Sequence, residues 1–169
     1  MCIDLNRSEA RGLIGKLTSL SILSLTSASL QSVQISPRKG MVGIVDDEKD
    51  ITMLFGDALR DIEGISVFTF NDSLEALKHF TNNKEGYILI ISDLSMPGMN
   101  GLDLVKKIKK LSPKTRIMIT SGYEIEPCER QIYTNTGIIN KIIEKPISIS
   151  RFRQEVKNQV KAYWISINK

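Results

Sequence analysis

The chain is punctuated by short apolar runs. Met41 to Val45, Ile65 to Phe70, Tyr87 to Ile91, Arg116 to Thr120 and Asn140 to Glu144 each read as a strand bounded by polar or turn-forming residues. Tyr87-Ile88-Leu89-Ile90-Ile91 has no charged or small polar position, the pattern of a strand covered on both faces at the centre of a parallel sheet. Helical stripes lie between the runs. Ile51, Leu54, Phe55, Ala58, Leu59 and Ile62 recur at three- and four-residue steps and predict a helix stopped by Gly64. Asp72, with Glu75 three residues on, makes a capping-box-like start for a second helix carrying Leu74, Leu77 and Phe80. Residues 101–111 present Val105, Ile108 and Leu111, and Ser112-Pro113 ends that helix. A weaker helix follows Pro127 and breaks at Gly137; a last one, roughly 149–164, shows Ile149, Phe152, Val156, Val160 and Tyr163. Strand alternating with helix five times predicts an α/β fold, a parallel sheet with helices on both faces.

Residues 1–40 break this pattern. Leu13 to Leu30 alternates Leu and Ile with Ser and Thr, and only half of its 18 positions are apolar. A secretory signal would have a cleaner apolar run without Asp4 and Glu9 ahead of it. Residues 1–40 are therefore expected to be a Ser/Leu-rich extension, disordered or a mobile helix, with Pro37-Arg38-Lys39-Gly40 linking it to a domain at 41–169. No apolar run reaches about 18 residues, so no membrane span is expected. The formal net charge of +4 is uneven, since residues 1–40 supply +3 of it and the rest holds 18 basic and 17 acidic side chains. A nucleic-acid-binding stripe is not supported. Cys2 and Cys128 are far apart and lack metal-ligand spacing, as expected of reduced thiols in a cytoplasmic protein.

The chemistry lies where the strands end. In a parallel sheet all C-terminal strand ends share one edge, and open α/β sheets place their ligands there. Asp46-Asp47, Asp93, Ser121 and Lys145 each fall at that edge. Singly they have ordinary readings: helix caps, a turn former, a surface charge. Together they crowd three carboxylates, and at about 5 Å and an effective dielectric near 20 each like pair costs roughly 3 kcal/mol. Raised pKa values or a bound cation must relieve this. Oxygen donors with no His or Cys nearby favour a hard cation, Mg²⁺ above all. A divalent ion beside a free carboxylate, a hydroxyl and an ammonium suits phosphoryl transfer, with Asp93 as nucleophile and Ser121 and Lys145 stabilising the transferred group. Lys106, Lys107, Lys109 and Lys110 read as a solvated helix face, and His79 as an ordinary surface residue.

These residues resemble the response-regulator receiver domain of two-component signalling over residues 41 to about 165. The resemblance rests on Val45-Asp46-Asp47-Glu48, the Asp93-x-x-Met96-Pro97-Gly98-Met99-x-Gly101 loop, Ser121-Gly122 and Glu144-Lys145-Pro146. It implies a flavodoxin-like (βα)5 fold with sheet order 2-1-3-4-5. It implies that Asp93 accepts a phosphoryl group from a histidine kinase or phosphotransfer protein. Asp46, Asp47, Asp93 and the Ser95 carbonyl would then hold Mg²⁺, and Ser121 and Lys145 would bind the phosphoryl group. A cis Lys145-Pro146 peptide is implied as well. The expected protein is a cytoplasmic signalling molecule rather than an enzyme, a monomer or a phosphorylation-dependent dimer. With no sequence after residue 169 for an output domain, it would signal by binding a downstream protein. Ile142 stands where the family usually carries Tyr or Phe. Two other classes fit less well. A flavodoxin-like cofactor binder needs a phosphate-cradling loop after the first strand, where this chain has acids. A haloacid-dehalogenase-type hydrolase needs an Asp at position 95, which is Ser. The remaining alternative is a receiver-like protein-binding module that acts without phosphorylation.

Overall fold

The computed structural model describes residues 39–123, 125 and 127–168. The expectations for the extension, and for Cys2, fall almost wholly outside these residues. Elements alternate along the chain as β1 (Gly40–Val45), α1 (Lys49–Leu59), β2 (Ile65–Phe70), α2 (Ser73–Asn83), β3 (Tyr87–Asp93), α3 (Gly101–Leu111), β4 (Arg116–Ser121), α4 (Pro127–Asn135), β5 (Lys141–Glu144) and α5 (Ile149–Ile167). All neighbouring strands pair in parallel, in the order β2-β1-β3-β4-β5. That is the predicted sheet. Gly40, expected in a linker, is instead the first residue of β1: it pairs with Ile65, and its N–H bonds the Gly64 carbonyl at 2.9 Å.

The central strand has the predicted environment, for every residue of β3 is buried. Strand alternation divides the core in two. Ile117 and Ile119 of β4 face a cluster with Phe80 of α2 and Leu104, Val105 and Ile108 of α3. Met118 faces the other side, with Phe55 and Leu59 of α1 and Phe152 and Val156 of α5. On that side the rings of Phe55 and Phe152 stack at 4.0 Å, fixing α1 against α5.

The helical stripes predict the helices better than their buried faces. Leu54, Leu74 and Leu111 are 50%, 63% and 40% exposed, while Thr52, Ala76 and Leu104 are buried. Leu54 sits about 100° around α1 from Phe55, beyond the arc that touches the sheet. His79 is likewise not an ordinary surface residue. It is half-buried, packs on Phe68 and Phe70 at ring distances of 4.9 and 5.3 Å, and its Nδ1 bonds the Tyr87 hydroxyl at 2.8 Å.

Among the described residues, three helices have side-chain caps at the start. Asp72 accepts from the Glu75 N–H, Asn100 from the Asp103 N–H and Ser148 from the Arg151 N–H. The Asn100 cap matters most for the edge described next, because α3 starts against the end of β3. The Gly101 N–H bonds the Leu94 carbonyl at 3.0 Å. A Cβ on Gly101 would lie 2.0 Å from the Asp93 carbonyl oxygen, so only glycine lets the helix begin this close to the strand.

Candidate functional site

Strands β3, β4 and β5 end level with one another. The Leu94 N–H bonds the Thr120 carbonyl at 2.9 Å, and the Lys145 N–H bonds the Ser121 carbonyl at 2.7 Å. Pairing of β3, β4 and β5 thus continues just past the strand ends and delivers Lys145 beside Asp93. The peptide that follows, Lys145-Pro146, is cis.

Here Lys145 bridges two carboxylates. Its Nζ donates to Asp46 Oδ2 at 2.8 Å and to Asp93 Oδ1 at 2.7 Å. The acids are only 2% and 6% exposed. Two buried like charges need such a counter-charge, because the energy of taking them out of water is otherwise uncompensated. Burial draws the Lys145 ammonium toward its neutral form, but the hydrogen bonds and charges of Asp46 and Asp93 outweigh it, and its pKa stands above the ordinary lysine value. The remaining carboxylate oxygens accept from the backbone: Asp93 Oδ2 from the Ser95 N–H at 2.7 Å and Asp46 Oδ1 from the Glu48 N–H at 3.0 Å. Next to Lys145, Glu144 pairs with Arg130 of α4.

The other expected site residues stand differently. Asp47 and Ser95 are exposed. Ser121 is buried, but its hydroxyl donates to the Tyr123 carbonyl at 2.9 Å and accepts from the Tyr123 N–H at 3.1 Å. It is engaged with its own turn rather than with the carboxylates. Among the described residues, no three His, Cys, Asp or Glu side chains converge into a group able to hold a metal. The donor set nonetheless fits Mg²⁺, which is commonly held through one or two carboxylates while keeping several waters. Each carboxylate oxygen of Asp46 and Asp93 accepts a hydrogen bond from the protein and has a second lone pair to offer.

One polar residue at this edge escaped the sequence reading. Asn71, the first residue after β2, donates through Nδ2 to the Asp46 carbonyl at 2.8 Å and to Thr52 Oγ1 at 2.9 Å. The rule that singled out Asp46 and Lys145, a polar residue just past a strand, applies to it equally.

Ile51, Leu54, Phe55, Gly122, Lys145, Pro146 and Ile147 line a groove of about 410 Å³ beside the ammonium. A larger concavity of about 720 Å³, at Ile62, Val160, Trp164 and Ile165, contains none of these groups. Among the described residues, no helix is long and apolar enough to cross a membrane.

Comparison with known proteins agrees with this picture. A family profile described as response regulator receiver domain matches residues 42–157. The autoinducer 1 sensor kinase/phosphatase LuxN of Vibrio campbellii is 31% identical over 137 residues, 81% of this chain, but the match spans only 15% of LuxN. Sporulation initiation phosphotransferase F of Bacillus subtilis is 30% identical over 115 residues, 68% of this chain and 88% of that protein. Among solved structures, a response regulator receiver domain protein from Clostridium thermocellum superposes with a TM-score of 0.65 at 25% identity, covering 75% of this chain and 98% of its own.

Proposed function

Because this chain belongs to the response regulator receiver domain family, we propose that it is a cytoplasmic phosphoacceptor of two-component signalling. It takes a phosphoryl group on Asp93 from a histidine kinase or phosphotransfer protein and passes the signal on by binding a downstream protein. Receiver domains are signalling proteins whose chemistry is their own phosphorylation, and the family generally uses Mg²⁺ for it. The observation that carries the reading is the Lys145 bridge, which joins acids 99 and 52 residues away in sequence.

In this reading an Asp93 carboxylate oxygen attacks phosphorus in line. The P–O bond forms, the P–N bond of phosphohistidine breaks, and the imidazole leaves with the bonding pair and is reprotonated from water. Lys145, held protonated at neutral pH by its two acids, neutralises charge on the phosphoryl oxygens. The Ser121 hydroxyl, once it leaves Tyr123, donates to one of them. Mg²⁺, held by Asp46, Asp47, Asp93 and the Ser95 carbonyl, would supply Lewis acidity to the same oxygens. The groove at Ile51, Leu54, Phe55 and Ile147 offers the phosphodonor an apolar shoulder next to Lys145.

Incubation with acetyl phosphate, with Mg²⁺ or with a chelator, followed by intact mass measurement tests the reading. One phosphoryl addition is expected with Mg²⁺, none with chelator and none in Asp93→Asn. An unmodified wild-type protein would favour a receiver-like protein-binding module that acts without phosphorylation.

A further inference from the structure

The mechanism above leaves β2 without a role, although its C-terminal end lies on the same sheet edge. Asn71 supplies one. A main-chain carbonyl only accepts hydrogen bonds, so the contact with the Asp46 carbonyl requires a donor at residue 71. Thr52 Oγ1 already donates to the Lys49 carbonyl at 2.9 Å, so it too needs a donor from Asn71. Both amide hydrogens of Asn71 are thereby committed, one to the end of β1 and one to the first turn of α1. Aspartate has no such hydrogens, and serine has one. Thr52 is 2% exposed while Asn71 is exposed, so the contact is shielded from water on its Thr52 side.

The consequence falls on Asp46. Its N–H bonds the Phe70 carbonyl at 3.1 Å, while its own carbonyl receives the Asn71 amide at 2.8 Å. The end of β2 therefore grips both polar groups of the Asp46 main chain just where the chain leaves the sheet. The carboxylate is aimed from a backbone fixed on both sides.

We propose that Asn71, braced by Thr52, is a positioning residue that sets the Asp46 carboxylate for a divalent cation. This inference rests on the functional reading above. Mg²⁺ demands near-ideal octahedral geometry, so the aim of a ligand oxygen matters more than for a larger ion. Removing a partner behind a ligand typically weakens metal binding about 10- to 100-fold.

The test is a Mg²⁺ titration of the unphosphorylated full chain, read from the backbone amide NMR shifts of Asp46, Asp47 and Glu48. Asn71→Ala and Thr52→Val should raise the half-saturating Mg²⁺ concentration, by about tenfold for Asn71→Ala. Thr52→Ser keeps the hydroxyl and should restore the wild-type value. Unchanged half-saturation in Asn71→Ala, beside a wild type that binds and is labelled, overturns this inference alone. A wild type that shows neither a saturable Mg²⁺ response nor labelling overturns the functional reading and this inference together.

Discussion

The two ends of β3 bury polar groups in opposite ways. At its start, Tyr87 is 1% exposed, and its hydroxyl has His79 Nδ1 as partner. Burial pushes the phenol far above the ordinary value of 10.0, so it stays protonated. At its end, Asp93 is buried but has a cationic partner, Lys145, as well as a backbone N–H. A neutral hydroxyl needs only one good hydrogen bond in the interior, whereas a carboxylate also needs compensating charge. The first arrangement suits a packed aromatic cluster of Phe68, Phe70, Phe80 and His79 around Tyr87. The second keeps a buried carboxylate beside a cationic side chain. One strand supplies both an aromatic end and a charged one.

This contrast breaks most strongly at the charged end. Lys145→Met leaves Asp46 and Asp93 facing each other without their cation, and chemical denaturation should show a loss of about 3 kcal/mol. Added Mg²⁺ should recover part of that loss in the variant. An equal loss with and without the ion would mean that no cation replaces the ammonium there.

At the neutral end the effect is smaller. Tyr87→Phe removes one hydrogen bond and should cost about 1 kcal/mol. It should also change the response to alkali. The folded phenol's pKa is raised, so its contribution is fully present below pH 10.0 and fades as pH climbs through the folded value. The variant should show a shallower alkaline decline than wild type; identical slopes would mean that Tyr87 is not held neutral by burial.

The surface pair between Arg153 and Asp61 provides the smallest case. The Arg153 guanidinium bonds the Asp61 carboxylate at 2.6 and 3.0 Å and lowers its pKa. The contribution is present above the ordinary value of 3.8 and is lost as pH falls through the folded value. Asp61→Asn should therefore flatten only the acid limb of a stability profile, with little change at neutral pH.

The same contrast explains what could be read from the sequence. Apolar runs and capping residues are local signals, and β2 and α3 lie at the residues predicted from them. The charged edge was legible because Asp93 and Lys145 each sit at a strand end, and strand ends of a parallel sheet must meet. Side-chain direction was not. Nothing near Ser121 in sequence tells that its hydroxyl turns toward Tyr123 instead of the acids. Asn71 was missed because its partners lie 25 and 19 residues away, so its meaning appears only once β1, β2 and α1 are assembled. His79 was misread for a related reason: its position on α2 gives no hint that Phe68, Phe70 and Tyr87 surround it. A helical stripe similarly reports which residues share a side, but the width of the contact decides that Leu54 stays outside it.

The account depends on Asp93 being the acceptor. The most direct measurement treats the protein with acetyl phosphate and Mg²⁺, reduces it with borohydride, and sequences the peptides by mass spectrometry. An aspartyl phosphate is reduced to homoserine, so the account predicts homoserine at position 93 and unaltered aspartate at 46 and 47. Aspartate recovered intact at 93, or homoserine at another position, would contradict it.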